Sequence, residues 1–176
     1  MMQMLLAGGV PILADGERKA DIENPRGYYE WEPAKLLPKQ PELIQAAQGK
    51  AVKIISQLLF ALPDAYQYRI VFMERPLVEV LASQTEMIRR TGTAAPNVPP
   101  TVMTAALQAH LQQVRSWLAI QKNISARFVK FADVINDPQT IASDLQSFLD
   151  RTLDIATMAA RVDESLYRQR STMTTS

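Results

Sequence analysis

Arg75 is the residue whose neighbours equip it best for chemistry. It follows an unbroken apolar run, Ile70-Val71-Phe72-Met73, and then Glu74; Pro76 and a helical pattern come directly after it. The run is too short for a buried helix and rich in β-formers, so it predicts a strand buried on both faces, as in a parallel sheet covered by helices. Pro76 fits a first helical position, where a missing N–H costs nothing. Leu77, Leu81 and Ile88 then fall on one apolar stripe, and Glu79, Ser83, Glu86 and Arg90 on a polar one. Tyr68 to Arg90 is therefore strand, tight turn and helix, with an arginine at the carboxyl end of the strand, where ligands bind in open α/β sheets. A helix N-terminus adds free N–H groups and partial positive charge, so the chemistry expected at Arg75 is anion binding.

Other chemistries are narrowed by composition. The 176 residues contain no cysteine and one histidine, His110, which removes thiolate chemistry and argues against a histidine-built metal centre. His110 sits beside an apolar stripe with no partner that the sequence can name, and reads as a surface-boundary residue before a catalytic one. Gly49-Lys50 looks like the end of a phosphate-binding loop but is not one. No glycine lies five residues before Gly49, no Ser or Thr follows Lys50, and a strand pattern follows instead of a helix. A net charge of +1 argues against a broad nucleic-acid footprint.

The elements that must position Arg75 can be read in order. Met1 to Ala7 is apolar and helical, stopped by Gly8-Gly9. Met1 to Ala14 lacks a basic start, is broken by Gly8-Gly9 and Pro11, and is too short to span a bilayer, so a buried element is expected in place of a targeting segment, and a cytoplasmic location by default. Val10 to Leu13 is a brief extended piece. Asp15 to Pro33, DGERKADIENPRGYYEWEP, reads as a loop, either solvated with an aromatic anchor or facing a substrate. Pro41 to Gln48 suggests a short helix, and Ala51 to Ser56 a second buried strand with Lys53 inside it.

Beyond the central unit, Thr91 to Pro100 is a proline-rich loop and Thr101 to Lys122 a long amphipathic helix with Leu107, Leu111, Val114 and Leu118 on its stripe. Ala126 to Phe131 predicts a third strand. Asp137 and Pro138 supply an N-cap and first position for a helix with Ile141, Leu145 and Phe148 on its apolar face. Leu153 to Val162 gives a last short helix, followed by a flexible tail over 163–176. The whole is one α/β domain with a parallel sheet and helices on both faces. Three strands is few for such a sheet, which usually has about five or six.

Two phrases, NPRGYYEWE at 24–32 and ERPLVEVLAS at 74–83, carry a resemblance that extends from MMQMLLAGGVP through FVKFADVINDP to SLYRQR. The chain resembles bacterial sulfotransferase-like proteins of the three-layer P-loop fold, which use PAPS (3′-phosphoadenylyl sulfate) and no metal. In that family an arginine ending a strand and a serine eight residues on bind the 3′-phosphate of the nucleotide; here those positions are Arg75 and Ser83. The plainer reading is that Arg75 pairs with Glu79 one turn on and Ser83 is simply a small polar helix residue. A basic segment near the C-terminus reaches the same phosphate in many members. Arg168 and Arg170 are the candidates here, although the family's glycine-containing version is absent. For a hydroxyl acceptor a general base is expected; Glu30 is the candidate, with Asp15 behind it, and the alternative for each is a solvated carboxylate.

The resemblance also has a gap. The family's Gly-rich loop, which cradles the 5′-phosphosulfate, comes directly before the helix that here starts at Met1, and the 176 residues do not contain it. The chain is thus expected to lack the first strand and its loop, through a late-assigned start or as a genuine remnant, and to be inactive as written. The intact form would transfer a sulfuryl group from PAPS to a hydroxyl or amine on a small-molecule or carbohydrate acceptor, with no nucleic-acid or membrane partner. The alternative is a non-catalytic nucleotide-binding or interaction protein. A kinase-like phosphotransferase is disfavoured, since no Walker lysine or Mg²⁺-binding carboxylate can be assigned.

Overall fold

The β-formers before Arg75 make strand β3 (Tyr68–Glu74), which pairs in parallel with β4 (Ile124–Lys130) over seven Cα partners, from Tyr68↔Ile124 to Glu74↔Lys130. A parallel pair needs a crossover, and here it contains the helices α2 (Leu77–Thr91) and α3 (Pro100–Ile120). A second parallel pair joins β1 (Ile12–Leu13) to β2 (Ala51–Val52). The computed structural model describes residues 1–16, 27–91 and 98–163, with the side chains at 86, 87 and 89–91 left aside. Within them the chain is α/β, with two two-stranded parallel sheets where the sequence suggested three strands in one.

The differences have local causes. Residues 51–56 do not form the expected long strand, because β1 offers only two residues to pair with. Pro11 precedes β1 and donates no N–H, although its carbonyl accepts from Ala51 N (2.8 Å), and Ala14-Asp15-Gly16 follows as loop. Ser56–Ala61 then turns as a 3₁₀ helix. Phe131 does not end the strand over 126–131 but opens helix α4 (Phe131–Asn136). At the other end of the chain Met2–Ala7 forms α1, stopped at Gly9 with φ 93°. Asp137 caps α5 (Pro138–Leu149) through Thr140 N, and Asp154 caps α6 (Ile155–Ala159) through Thr157 N.

Strand alternation sends the two faces of β3 into different cores. Val71 and Met73 pack on a cluster that includes Met4, Leu5, Val134, Leu145 and Met158, contributed by α1, α4, α5 and α6. Ile70 and Phe72 pack instead with Leu59, Val114 and Leu118, on α3 and the 3₁₀ turn beneath it. Helices therefore cover both faces. A third cluster, Trp31, Ala34, Leu37 and Ile44, lies near β1 and β2, so the aromatic anchor expected in the loop over 15–33 is Trp31. β3 itself is only half-buried, which corrects the sequence expectation of full burial: its faces are covered, but one of its edges is open.

Gly8 is fixed by packing and not by backbone conformation. A Cβ there would lie 2.6 Å from both Cγ and Sδ of the fully buried Met158. Gly8→Ala is expected to destabilise by about 1–3 kcal/mol in urea titration. Combining it with Met158→Ala should cost clearly less than the two single losses added, since the truncated side chain vacates the clash. Strict additivity would mean the contact is not the reason for the glycine.

The two caps also set an acid dependence. The carboxyl of Asp137 is held below its ordinary range chiefly by the backbone N–H of Thr140, and that of Asp154 chiefly by the side chain of Thr157. Such groups stabilise the fold fully above the unfolded-state value of 3.8, and the contribution is lost as pH falls through the lower folded value. Urea midpoints measured from about pH 7 to 2 should fall below about pH 4. Asp137→Asn with Asp154→Asn, which keeps cap geometry but removes titration, should flatten that fall.

Candidate functional site

Register explains the surroundings of Arg75. Because Glu74 partners Lys130, the next residues, Arg75 and Phe131, leave the sheet side by side. The guanidinium carbon of Arg75 lies 4.7 Å from the centroid of the Phe131 ring, and its Nη2 pairs with Glu79 Oε2 at 3.4 Å. Glu79 is only 4 % exposed, although the helical pattern placed it on the polar stripe. The carboxylate has turned inward to meet the arginine at the start of α2. Ser83, two turns along, is exposed, and its side chain makes no hydrogen bond to a described residue. The structure therefore brings Arg75 to Glu79 and not to Ser83.

Beside it, Glu74 pairs with Arg115, whose guanidinium carbon lies 4.4 Å from the centroid of the Phe128 ring. Neither Arg115 nor Phe131 could be singled out from sequence. Both are distant in the chain and reach the site only through the β3–β4 register and the docking of α3.

These groups open onto a cavity of about 1660 Å³. Seven cationic side chains line it, against the two carboxylates of Glu74 and Asp163. Lys53, Arg75 and Arg115 stand beyond or beside the ends of β2 and β3. Lys50 and Arg69 stand near their starts, where Arg69 donates to Phe148 O (2.8 Å) and Arg151 donates to Gly49 O (3.2 Å). Four of the seven, Lys53, Arg69, Arg75 and Arg115, meet the carboxylates of Glu30, Asp150, Glu79 and Glu74, so much of their charge is met within the protein.

Glu30 lies behind this lining. Lys53 Nζ reaches Glu30 Oε1 at 3.3 Å and donates to Tyr28 O at 3.1 Å. Tyr29, next to Glu30, has φ 53°, a left-handed conformation that a bulky residue seldom adopts. Asp15 clamps the loop that carries Glu30. Its Oδ2 accepts from Glu32 N (2.5 Å), while its own N–H donates to Glu30 O (3.1 Å). Lys53 was visible in the sequence only as a lysine inside an apolar run. Its role as the partner of Glu30 follows from the end of β2 lying against residues 28–30.

His110 does have a partner. Its Nε2 lies 2.8 Å from Ser56 Oγ, and Phe60 meets its ring edge-on with centroids 6.2 Å apart. Among the described residues no carboxylate pairs with the imidazole, and the contact ties α3 to the 3₁₀ turn. Arg161 is exposed and lines the cavity. Arg168 and Arg170 lie outside the described residues, as do residues 24–26 of the NPRGYYEWE phrase. No group of three or more candidate metal ligands occurs among the described residues, and no described helix is long and apolar enough to cross a membrane.

Compared with known proteins, the chain matches no family model, no curated sequence and no solved structure.

The Arg75–Glu79 pair predicts a coupling. Arg75→Met, which removes the cation facing a buried carboxylate, should cost about 1–3 kcal/mol, discounted because Arg75 is 28 % exposed. Adding Glu79→Gln should recover part of that loss, and a double-mutant cycle in urea measures it. Independent, additive effects would remove the pair as the reason Glu79 is buried.

Proposed function

We propose that the chain is a sulfotransferase-like nucleotide-binding domain of the three-layer P-loop class, in which Arg75 holds the 3′-phosphate of PAPS. The observation that carries this reading is the position of Arg75. It stands at the carboxyl end of a parallel strand, at the N-terminus of α2, and on the wall of a cavity lined by seven cations and two carboxylates. A planar guanidinium suits a phosphate there, and the helix N-terminus adds partial positive charge.

The fit of the nucleotide is uneven along its length. Arg75 fits its 3′-phosphate, with Ser83 able to contribute only from the exposed side of α2. Arg168 and Arg170 are proposed second contacts. For the 5′-phosphosulfate the 176 residues hold no Gly-rich loop, so no transfer step is assigned to them. Glu30, oriented by Lys53, is the proposed base toward a hydroxyl or amine acceptor. PAPS, when bound, supplies the sulfuryl group; the part of this chain is to grip the nucleotide and orient a carboxylate.

A second reading, nucleotide binding without turnover, rests on the Arg75–Glu79 pair, which holds the guanidinium ready whether or not chemistry follows. Both readings expect adenosine 3′,5′-bisphosphate to raise the melting temperature and Arg75→Ala to abolish that rise relative to the variant's own baseline. AMP, lacking a 3′-phosphate, should shift it much less. Equal shifts with both nucleotides would remove Arg75 from the phosphate site. Release of the bisphosphate from PAPS in the presence of acceptor hydroxyls would separate the enzyme from the binding protein.

A further inference from the structure

The cavity is bounded in an unusual way. A cavity lying on a sheet face is lined by alternate residues of a strand, because successive side chains point to opposite faces. This one is lined by consecutive residues, 65–75 through all of β3 and 47–54 through all of β2. It therefore runs along two strand edges. Ile12 and Leu13 of β1 do not line it, and of β4 only Ser125 does, so the partnered edges face outward.

Hydrogen-bond directions agree. Tyr68 N donates toward the β4 side, to Asn123 O at 2.9 Å, so alternation turns the N–H and C=O of Arg69, Val71 and Met73 to the opposite edge. Likewise Ala51 N donates to Pro11 O on the β1 side, which turns the backbone groups of Val52 toward the cavity. Both β2 and β3 begin beside the turn after α5, as the bonds of Arg151 to Gly49 O and of Arg69 to Phe148 O require. Two parallel pairs thus present open edges, in the same direction, to one space. Its volume, about 1660 Å³, exceeds the roughly 300–1,000 Å³ usual for a small-molecule site.

The geometry points to an extended polypeptide strand as the occupant: a partner segment that inserts parallel to β3, between it and β2, and joins the two pairs into one sheet. The walls define its side chains. On one face they would meet Met4, Leu5 and Val10, and on the other Leu59, Leu107 and Leu111, all lining the cavity. The segment is therefore apolar on both faces and β-branched, as a buried parallel strand is. Lys50, Arg69 and Arg151 at the starts of β2 and β3, against the one carboxylate of Asp150, select against Lys or Arg at the N-terminal flank of the segment and favour an acidic residue there. Main-chain bonds would supply affinity and alternate pockets specificity, as in other strand additions. This assignment is independent of the nucleotide.

The test uses the full chain and an acetylated, amidated heptapeptide of sequence DVVIVTG, at up to about 1 mM. Hydrogen–deuterium exchange is read by NMR. With the peptide, the amides of Arg69, Val71, Met73 and Val52 should exchange about tenfold or more slowly, while those of Ile70 and Phe72, already bonded to β4, should change little. The melting temperature should rise with peptide concentration. A control peptide with proline at alternate positions, unable to donate, should do neither. Absence of protection at those four amides, or equal effects from the proline peptide, overturns the proposal. So does sedimentation as a dimer in which the four amides are protected without peptide, which would make a second copy the occupant.

Discussion

Parallel pairing of β3 with β4 is the constraint on which the rest of the structure depends. Seven consecutive partners fix the register, and because side chains alternate, that register decides which residues enter which core. Val71 and Met73 join the cluster built by α1, α4, α5 and α6; Ile70 and Phe72 join the one built on α3. A slip by one residue would exchange the two sets and present Arg69 to an apolar layer. Two strands are too few to stand alone, so the ladder and the helical layers require each other.

The same register builds the candidate site. Arg75 and Phe131 emerge side by side because Glu74 and Lys130 are partners, and the ring of Phe131 gives the guanidinium a face to lie on. Glu79 completes the arrangement from the first turn of α2. A carboxylate at 4 % exposure is costly to bury without compensation, and the arginine supplies it. The ion pair and the stacking contact together hold the guanidinium at the mouth of the cavity, where mobility would otherwise be lost only on binding.

Charge around the cavity follows from chain crossings, not from composition. The whole sequence carries a net charge of only +1, yet the lining has seven cations and two carboxylates. Strand ends and turns from residues distant in sequence, such as Lys50 and Arg151, converge on it. A nearly neutral protein can thus gather cations at one interior surface, where Glu30, Glu74, Glu79 and Asp150 meet four of them, while other carboxylates, such as Asp137 and Asp154, cap helices elsewhere.

Much of this was legible in the residues. The unit over 68–90, the helix over 101–122, the caps at Asp137 and Pro138 and the stop at Gly8-Gly9 depend on local propensity and turn chemistry, which a linear sequence carries in full. The length of β2 did not, since a strand extends only as far as its partner and β1 stops after two residues. The pairing of Arg75 with Glu79 one turn on was legible from their spacing, but the burial of Glu79 was not, because helical periodicity had put it on a polar stripe. The Ser56–His110 contact, the Lys53–Glu30 pair and the Phe131 face beneath Arg75 likewise join residues far apart in the chain. Sequence alone determined an α/β chain with an arginine at a strand's carboxyl end and a carboxylate one turn on; tertiary structure alone decided that Phe131 lies beneath that arginine and which strand edges stay open, because register and crossing, not propensity, set both.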